Sequence, residues 1–198
     1  MPAWYAANAC TLAAAHGVPG PMALQLAYSL AERSIEREHV PAALEFGLGI
    51  TPWSPLAAGL LTGKYQRDGA AAEAAASPAA AGPGRLLGAN PFGNSLFTDR
   101  NWQILDVLRS VAADLGRPMA QVALAWASAQ PAVSALILGA STVARLQDNL
   151  ASADLHLGPD ALRRLDEGSA LAPAYPYGLF APGANSGLFG GAAVRRWI

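Results

Sequence analysis

One stretch of the sequence, residues 49–65, limits what this chain can fold into more than any other. It is a short apolar run that breaks at Ser54 and Pro55 and continues into a turn of small residues. Proline has no N–H to donate to a sheet, and it biases the residue before it toward an extended conformation. We therefore expect a strand that ends here, with Ser54 extended, and a turn in which Gly59 and Gly63 permit close backbone approach.

The same turn carries polar groups that suit an anion. The hydroxyl of Thr62 and the ammonium of Lys64 stand near each other among small residues whose N–H groups are exposed. Such a combination suits a phosphate. An ordinary strand and turn with a surface lysine would explain the same residues, because short motifs of this kind often misfire. The residues alone leave both alternatives open.

Neighbouring segments place this stretch in a parallel sheet. Residues 22–28 read as a strand, residues 36–46 as an amphipathic helix ended by Gly47, and residues 48–53 as the next strand. A strand, a helix and a strand within this length form a βαβ unit with a right-handed crossover. Residues 134–138, short and apolar, predict a third strand. The expected fold class is α/β with about three parallel strands.

Further helices are predicted from apolar periodicity and capping residues. They cover residues 2–16, 99–115, 119–129, 143–152 and 160–171. In the first of them, Trp4, Cys10 and Leu12 are the larger candidates for burial. In the second and third, Trp102 and Trp126 are expected in the core.

The helix over residues 143–152 has a strand–glycine–helix start, and helix N-termini attract anions. The turn before it begins at Gly139. Spacings of three and four residues align Arg145, Asp148 and Asn149 on one polar side of the helix, beside Ser141. The apolar stripe, which is expected to pack, consists of Val143, Leu146 and Leu150. A ligand-binding face and an ordinary solvent-exposed polar face are both compatible with this pattern.

Charge and composition argue against several function classes. The formal net charge is −1, from 13 basic and 14 acidic residues, and no basic block is present. Nucleic acid and anionic membranes are therefore not expected as partners. The single cysteine excludes an internal disulfide and fits a reducing compartment, so a cytoplasmic location is expected. No signal peptide or membrane span is evident, and the three scattered histidines do not predict a metal site.

Motifs in three segments of the chain resemble those of the aldo-keto reductases, in the branch that includes potassium-channel β-subunits and bacterial sugar-type reductases. The motifs WSPL at 53–56 and GLLTGKY at 59–65 resemble the family's seventh strand and the loop after it. QLAYSL at 25–30 resembles the sixth strand. GAS at 139–141, followed by Arg145 and by DNL at 148–150, resembles the eighth-strand cofactor motif. The resemblance implies the later part of a TIM (β/α)8 barrel.

The resemblance also implies an NADP cofactor and roles for individual residues. Trp53 would stack on the nicotinamide ring and Gln25 would bond its carboxamide. The pyrophosphate would be held by Ser54, Leu56, Gly59, Thr62 and Lys64. The adenosine end would be held by Gly139, Ser141, Arg145, Asp148 and Asn149. Within that set Arg145 would meet the 2′-phosphate, which favours NADPH over NADH, and Asp148 and Asn149 would form the adenine-binding pair.

Only the later part of the family's barrel has a counterpart here. The expected organisation is a partial barrel over residues 1–171, with a mobile loop at 66–98, and a tail over 172–198. A complete barrel has about 250 residues and eight strands. The family's catalytic Asp, Tyr, Lys and His lie on its first five strands, so no catalytic residue is assigned here, and Met1 is expected just inside the helix after the fifth strand.

The sequence therefore predicts part of an NADPH-dependent aldo-keto reductase, which would reduce aldehydes or ketones to alcohols and is inactive by itself. A chain that supplies strands one to five is the partner this interpretation implies, together with a small carbonyl substrate. The alternative is a non-catalytic module, either a regulatory or docking subunit or an inactive truncated fragment.

Overall fold

A computed structural model describes residues 1–65, 67, 86, 96–180 and 190 of the chain. Its two strands are β1, Ala23–Ala27, and β2, Gly49–Trp53. Its α-helices are α1 Ala3–His16, α2 His39–Phe46, α3 Asp99–Leu115, α4 Met119–Ser128, α5 Val143–Leu150 and α6 Pro159–Gly168. Short 3-10 helices cover Ser34–Arg37, Ala57–Thr62, Ala151–Asp154 and Tyr177–Phe180. Most of the loop predicted over 66–98, and the tail beyond residue 180 except 190, lie outside the described residues.

The two strands form the predicted βαβ unit. They pair in parallel, with Ala23 opposite Gly49 and Ala27 opposite Trp53, and α2 crosses between them. Gly47 ends α2 with a left-handed backbone (φ 65°) whose N–H bonds the carbonyl of Ala43, as the capping pattern predicts. The α/β class with parallel strands is confirmed.

The prediction of a third regular strand over residues 134–138 is wrong. That segment runs alongside β2, where the Ile50 N–H donates to the Ala132 carbonyl (2.7 Å) and the Ser134 N–H donates to the Ile50 carbonyl (2.9 Å). The next donor in a regular parallel ladder would be the N–H of residue 52, which is proline. The ladder is interrupted there, and the Pro52 carbonyl accepts from Ile137, one residue beyond the regular position.

The core lies between the sheet and α2, α3, α4 and α6. In α3 the buried side chains include the predicted Leu105, Leu108 and Val111. In α4 every residue from 120 to 127 is buried, and Trp126 is completely so. Trp102 is only half-buried, against Phe97. The core prediction therefore holds for Trp126 and in part for Trp102.

Helix α1 contradicts the expected burial of its large residues. Trp4 is 65% exposed, Leu12 is also exposed, and Cys10 is half-buried. The buried residues are Ala3 and Ala6, because α1 packs against α2 through its small methyl groups. Alanine permits close approach of the two helices, so the larger side chains occupy the outer side.

A buried arginine joins the loop after β1 to the last helix. Arg33 binds both carboxylate oxygens of Glu36, through Nε (2.7 Å) and Nη2 (2.9 Å). Its Nη1 donates to the carbonyl of Asp166 (3.0 Å) and to the hydroxyl of Ser169 (2.6 Å). Arg33 is nine-tenths buried, so these hydrogen bonds take the place of those that its guanidinium would form with water.

Aromatic side chains enclose this arginine. The guanidinium carbon lies 5.1 Å from the ring centroid of Trp126, whose Nε1 donates to Asp166 (2.9 Å). The Tyr28 hydroxyl donates to Glu36 (2.6 Å). Burial, followed by the hydrogen bond to Glu36, raises the pKa of Tyr28 far above its usual range. This phenol is therefore a permanent hydrogen-bond donor in the core.

We predict that Arg33→Met lowers the free energy of unfolding by about 3 kcal/mol, because Glu36 then loses its buried counter-ion. Urea denaturation followed by circular dichroism measures this. The matched control is Arg163→Met, on the exposed face of α6, where the pairs with Asp160 and Glu167 are fully solvated. The control should leave the denaturation midpoint unchanged, and equal effects of the two substitutions would contradict the prediction.

Candidate ligand-binding site

The carboxyl ends of the strands carry the first candidate residues. Gln25 lies opposite Thr51 in the parallel register, and Trp53 follows Thr51 by two residues, so Gln25 and Trp53 belong to the same face of the sheet. Gln25 is exposed, and Trp53 is 38% exposed although it ends a central strand. An amide and an indole therefore share an open face at the end of the βαβ unit.

The turn after β2 has a rare backbone conformation. Ser54 (φ 53°), Ala57 (φ 48°) and Ala58 (φ 54°) are left-handed, and Gly59 follows with φ 94°. The expectation that Ser54 is extended is wrong. Its carbonyl accepts from the Ala57 N–H (2.8 Å) and its hydroxyl accepts from the Ala58 N–H (3.0 Å), and these bonds close a tight turn in spite of the following proline. Left-handed non-glycine residues of this kind concentrate at functional sites.

The turn gathers the residues predicted to hold phosphate. The Thr62 hydroxyl donates to the Gly59 carbonyl (2.8 Å). The Lys64 ammonium lies over Gly59, so close that a Cβ at position 59 would be 3.1 Å from Nζ, and it also lies 5.0 Å from the ring centroid of Tyr65. Leu56, half-buried, accepts the N–H groups of Gly59 and Leu61 within this turn. A cation thus stands beside a tightly wound backbone.

The second group of candidates lies at the start of α5. Thr142 caps the helix by accepting from the Arg145 N–H (3.2 Å). The Arg145 Nη1 donates to the Ser141 hydroxyl (2.7 Å), so these two predicted residues are in contact. Gly139 lies exposed just before them, in an extended connection with open space around it. The predicted alignment of Ser141 and Arg145 is confirmed.

The other two candidates on α5 turn toward α4. One carboxylate oxygen of Asp148 accepts from Gln121 Nε2 at 2.7 Å. Asn149 is buried. No role was predicted for Gln121 from the sequence, and the missed signal was a single amide inside an otherwise apolar run from residue 120 to 127.

The apolar stripe of α5 is exposed to solvent instead of packed against the rest of the structure. Val143 is 73% exposed, and Leu146 and Leu150 are exposed as well. The expectation that this stripe packs is therefore wrong for the described residues. The reason is the bond between Asp148 and Gln121, together with the burial of Asn149, which directs part of the polar side of α5 toward α4.

Both groups of candidate residues lie beyond the same end of the sheet. The bond from Ile137 to the Pro52 carbonyl sets residues 137–139 beside the end of β2. The turn that carries Lys64 follows β2, and α5 follows the neighbouring extended segment. Ligands of parallel α/β sheets bind outside the carboxyl ends of the strands, so this is the expected place for a site.

A partly open pocket lies elsewhere on the described surface. A cavity of about 360 Å³ is lined by Gly63, Tyr65, Arg67, Trp102, Asp106 and Arg109. None of the candidate residues lines it. The candidate site is instead a surface at the strand ends.

Comparison with known proteins gives a family. The model of the aldo/keto reductase family matches residues 3–170. A probable voltage-gated potassium channel subunit beta of Oryza sativa subsp. japonica is 32% identical over 154 residues, which is 77% of this chain and 43% of the relative. An uncharacterized oxidoreductase, YrpG, of Bacillus subtilis is 33% identical over 164 residues, 83% of this chain and 45% of the relative.

A third relative, a probable voltage-gated potassium channel subunit beta of Arabidopsis thaliana, is 30% identical over 177 residues, 88% of this chain and 50% of the relative. The chain belongs to the aldo/keto reductase family. It spans about half the length of these relatives. Within the described ranges, no helix has the length and apolarity that a membrane crossing needs.

We predict that Gly63→Ala lowers the free energy of unfolding by about 1–2 kcal/mol, because φ at this position is 77° and the left-handed region disfavours a Cβ. The new methyl would also meet the Met119 sulfur at 2.5 Å. Gly178→Ala is the matched control, since its φ is not left-handed and open space surrounds it. A thermal or urea melt in which both variants behave alike would refute the assignment of strain to this turn.

Proposed function

We propose that this chain is the cofactor-holding part of an NADPH-dependent aldo-keto reductase that reduces aldehydes or ketones to alcohols. One observation carries the proposal. Lys64, in the turn after β2, and Arg145, in α5, both follow segments that run side by side and end at the same edge of the sheet, so each forms a cationic corner of the candidate site. A dinucleotide has phosphates along its length, so two such corners suit it. Membership of the family supports this ligand class.

The Lys64 corner is assigned the pyrophosphate. Its ammonium supplies a charge, and the left-handed turn from Ser54 to Gly59, which is closed by hydrogen bonds to Ser54, fixes the backbone beside it. The Thr62 hydroxyl is assigned to the same phosphate group, to which it would donate in place of its present acceptor, the Gly59 carbonyl.

Gln25 and Trp53 are assigned the nicotinamide. Both belong to one open face of the sheet, where the indole offers a flat apolar surface and the amide offers both a donor and an acceptor. A carboxamide-bearing aromatic ring needs these two kinds of contact. When bound, the nicotinamide would supply the hydride of the reaction.

The adenosine end is assigned to α5. Arg145, held against Ser141, presents a guanidinium suited to a phosphate monoester, and this supports NADPH over NADH. Asp148 and Asn149, on the following turn, are assigned the adenine.

The residues that act on the carbonyl group are assigned to polypeptide outside this chain. Two apolar surfaces of the structure could pack against that polypeptide. Helix α1 exposes Trp4 and Leu12, and α5 exposes Val143, Leu146 and Leu150. We propose that strands one to five of a family barrel, in the same or another polypeptide, cover them. A cytoplasmic location belongs to this proposal.

A second candidate function is a regulatory or docking module without catalysis. Relatives described as potassium channel subunits, and the exposed apolar side chains of α1 and α5, favour it. The two candidates differ in whether addition of a polypeptide carrying strands one to five produces carbonyl reduction.

We predict that Arg145→Ala weakens NADPH binding by about tenfold to a hundredfold, the value of a charge-assisted contact to phosphate. NADH binding should change by less than about twofold, because NADH lacks the 2′-phosphate. Quenching of tryptophan fluorescence measures both dissociation constants. Arg163→Ala, on the exposed face of α6, is the control and should preserve them. An equal loss for NADPH and NADH would contradict the 2′-phosphate assignment.

We also predict that the purified chain shows no oxidation of NADPH with any aldehyde or ketone, because it carries no assigned proton donor. Loss of NADPH absorbance with time measures this, with an active full-length family member as the positive control. Measurable turnover by the purified chain would place catalytic residues within it and overturn the proposal.

A further inference from the structure

The most unusual polar residue of α4 is Gln121. It is 5% exposed and lies in a run, from residue 120 to 127, in which all residues are buried and the others are apolar. A buried amide weakens a fold unless its groups are paired. A glutamine in this setting is expected only where it has a polar partner, so the partner of Gln121 indicates its role.

The side-chain amide of Gln121 is oriented with its N–H toward Asp148. Its Nε2 donates to the Asp148 Oδ1 at 2.7 Å, while its Oε1, also buried, has no hydrogen-bond partner among the described residues. Exchanging the two amide atoms would set one acceptor against another and lose the bond. The orientation therefore supplies a donor to Asp148 even though the amide oxygen stays unpaired.

This bond restricts an otherwise mobile carboxylate. Asp148 is exposed on α5, and an exposed aspartate on a helix samples several rotamers. A donor fixed in the buried face of α4 selects the rotamer in which Oδ1 points at Gln121. The second oxygen, Oδ2, is then held in one direction and keeps its acceptor capacity.

We infer that Gln121 is a positioning residue for adenine recognition, an assignment that rests on the proposed function. It holds Asp148 so that Oδ2 accepts a hydrogen bond from the exocyclic amino group of the adenine. A carboxylate can only accept, and that amino group is the exocyclic donor of adenine. The site would then discriminate between adenine and hypoxanthine, which carries an oxygen in place of the amino group.

A purely structural role for the bond makes a different prediction. If Gln121 only ties α4 to α5, its loss lowers stability and weakens every dinucleotide to the same extent. If it positions Asp148, its loss removes the preference for adenine. The ratio of two dissociation constants, for NADPH and for reduced nicotinamide hypoxanthine dinucleotide phosphate, separates the two roles.

The experiment measures that ratio by tryptophan quenching for the wild-type chain and for Gln121→Met, which keeps the length of the side chain without its N–H. We expect the wild type to bind NADPH about tenfold more tightly than the hypoxanthine analogue, the value of one charge-assisted hydrogen bond. In Gln121→Met the ratio should fall to about two or less. Gln121→Leu, which also lacks the donor and adds no charge beside Asp148, is the second variant if the first does not fold.

Two controls complete the design. Gln147→Met removes an exposed glutamine one residue from Asp148 and should keep the wild-type ratio. Asp148→Ala should lose the ratio, and adding Gln121→Met to it should change nothing further, because the two residues act through one bond. Circular dichroism and melting temperature monitor folding of each variant.

The outcomes separate this inference from the proposed function. A wild-type ratio near one, with NADPH bound and still weakened by Arg145→Ala, overturns adenine positioning and leaves the proposed function in place. A ratio kept in Gln121→Met, with a lower melting temperature, shows a structural tie and also overturns the inference. Failure of the wild type to bind either dinucleotide contradicts both.

Discussion

The hydrogen bonding of Arg33 is the interaction on which the described structure depends most. One guanidinium joins Glu36, beside the crossover after β1, to the end of α6, and it lies against the Trp126 ring of α4. These elements are distant in sequence, since Arg33 and Asp166 are 133 positions apart. The arginine thereby fixes how the βαβ unit sits on the later helices, and with it the directions in which β1 and β2 present their carboxyl ends.

The fold was largely predictable where local chemistry decides it. Capping glycines, apolar periodicity and the strand–helix–strand order gave α2, α3 and the parallel pair of strands. The third strand was not predictable from its own residues, because they are apolar and short as a strand should be. What interrupts it is Pro52 on the neighbouring strand, whose missing N–H breaks a ladder that only the tertiary structure reveals.

The arrangement of the candidate residues could be predicted from the sequence only in part. The contact between Ser141 and Arg145 follows from helical spacing. The direction of Asp148 does not, since it depends on Gln121 of another helix, and periodicity assigned Val143 to the packed side although it is exposed. Trp4 shows the same limit, because size suggests burial while the neighbouring helix α2 selects the alanines. Contacts between elements, rather than propensities within them, account for these errors.

The left-handed alanines after β2 have a consequence for how strongly an anion could be held. Alanine at positions 57 and 58 has fewer conformations in the unfolded chain than glycine would have. In the folded state both alanines have a left-handed, strained φ. The hydrogen bonds from the Ala57 and Ala58 N–H groups to Ser54 fix the shape of this loop. A turn whose backbone is already fixed loses little conformational entropy when an anion binds, so most of the favourable interaction energy would contribute to the binding affinity.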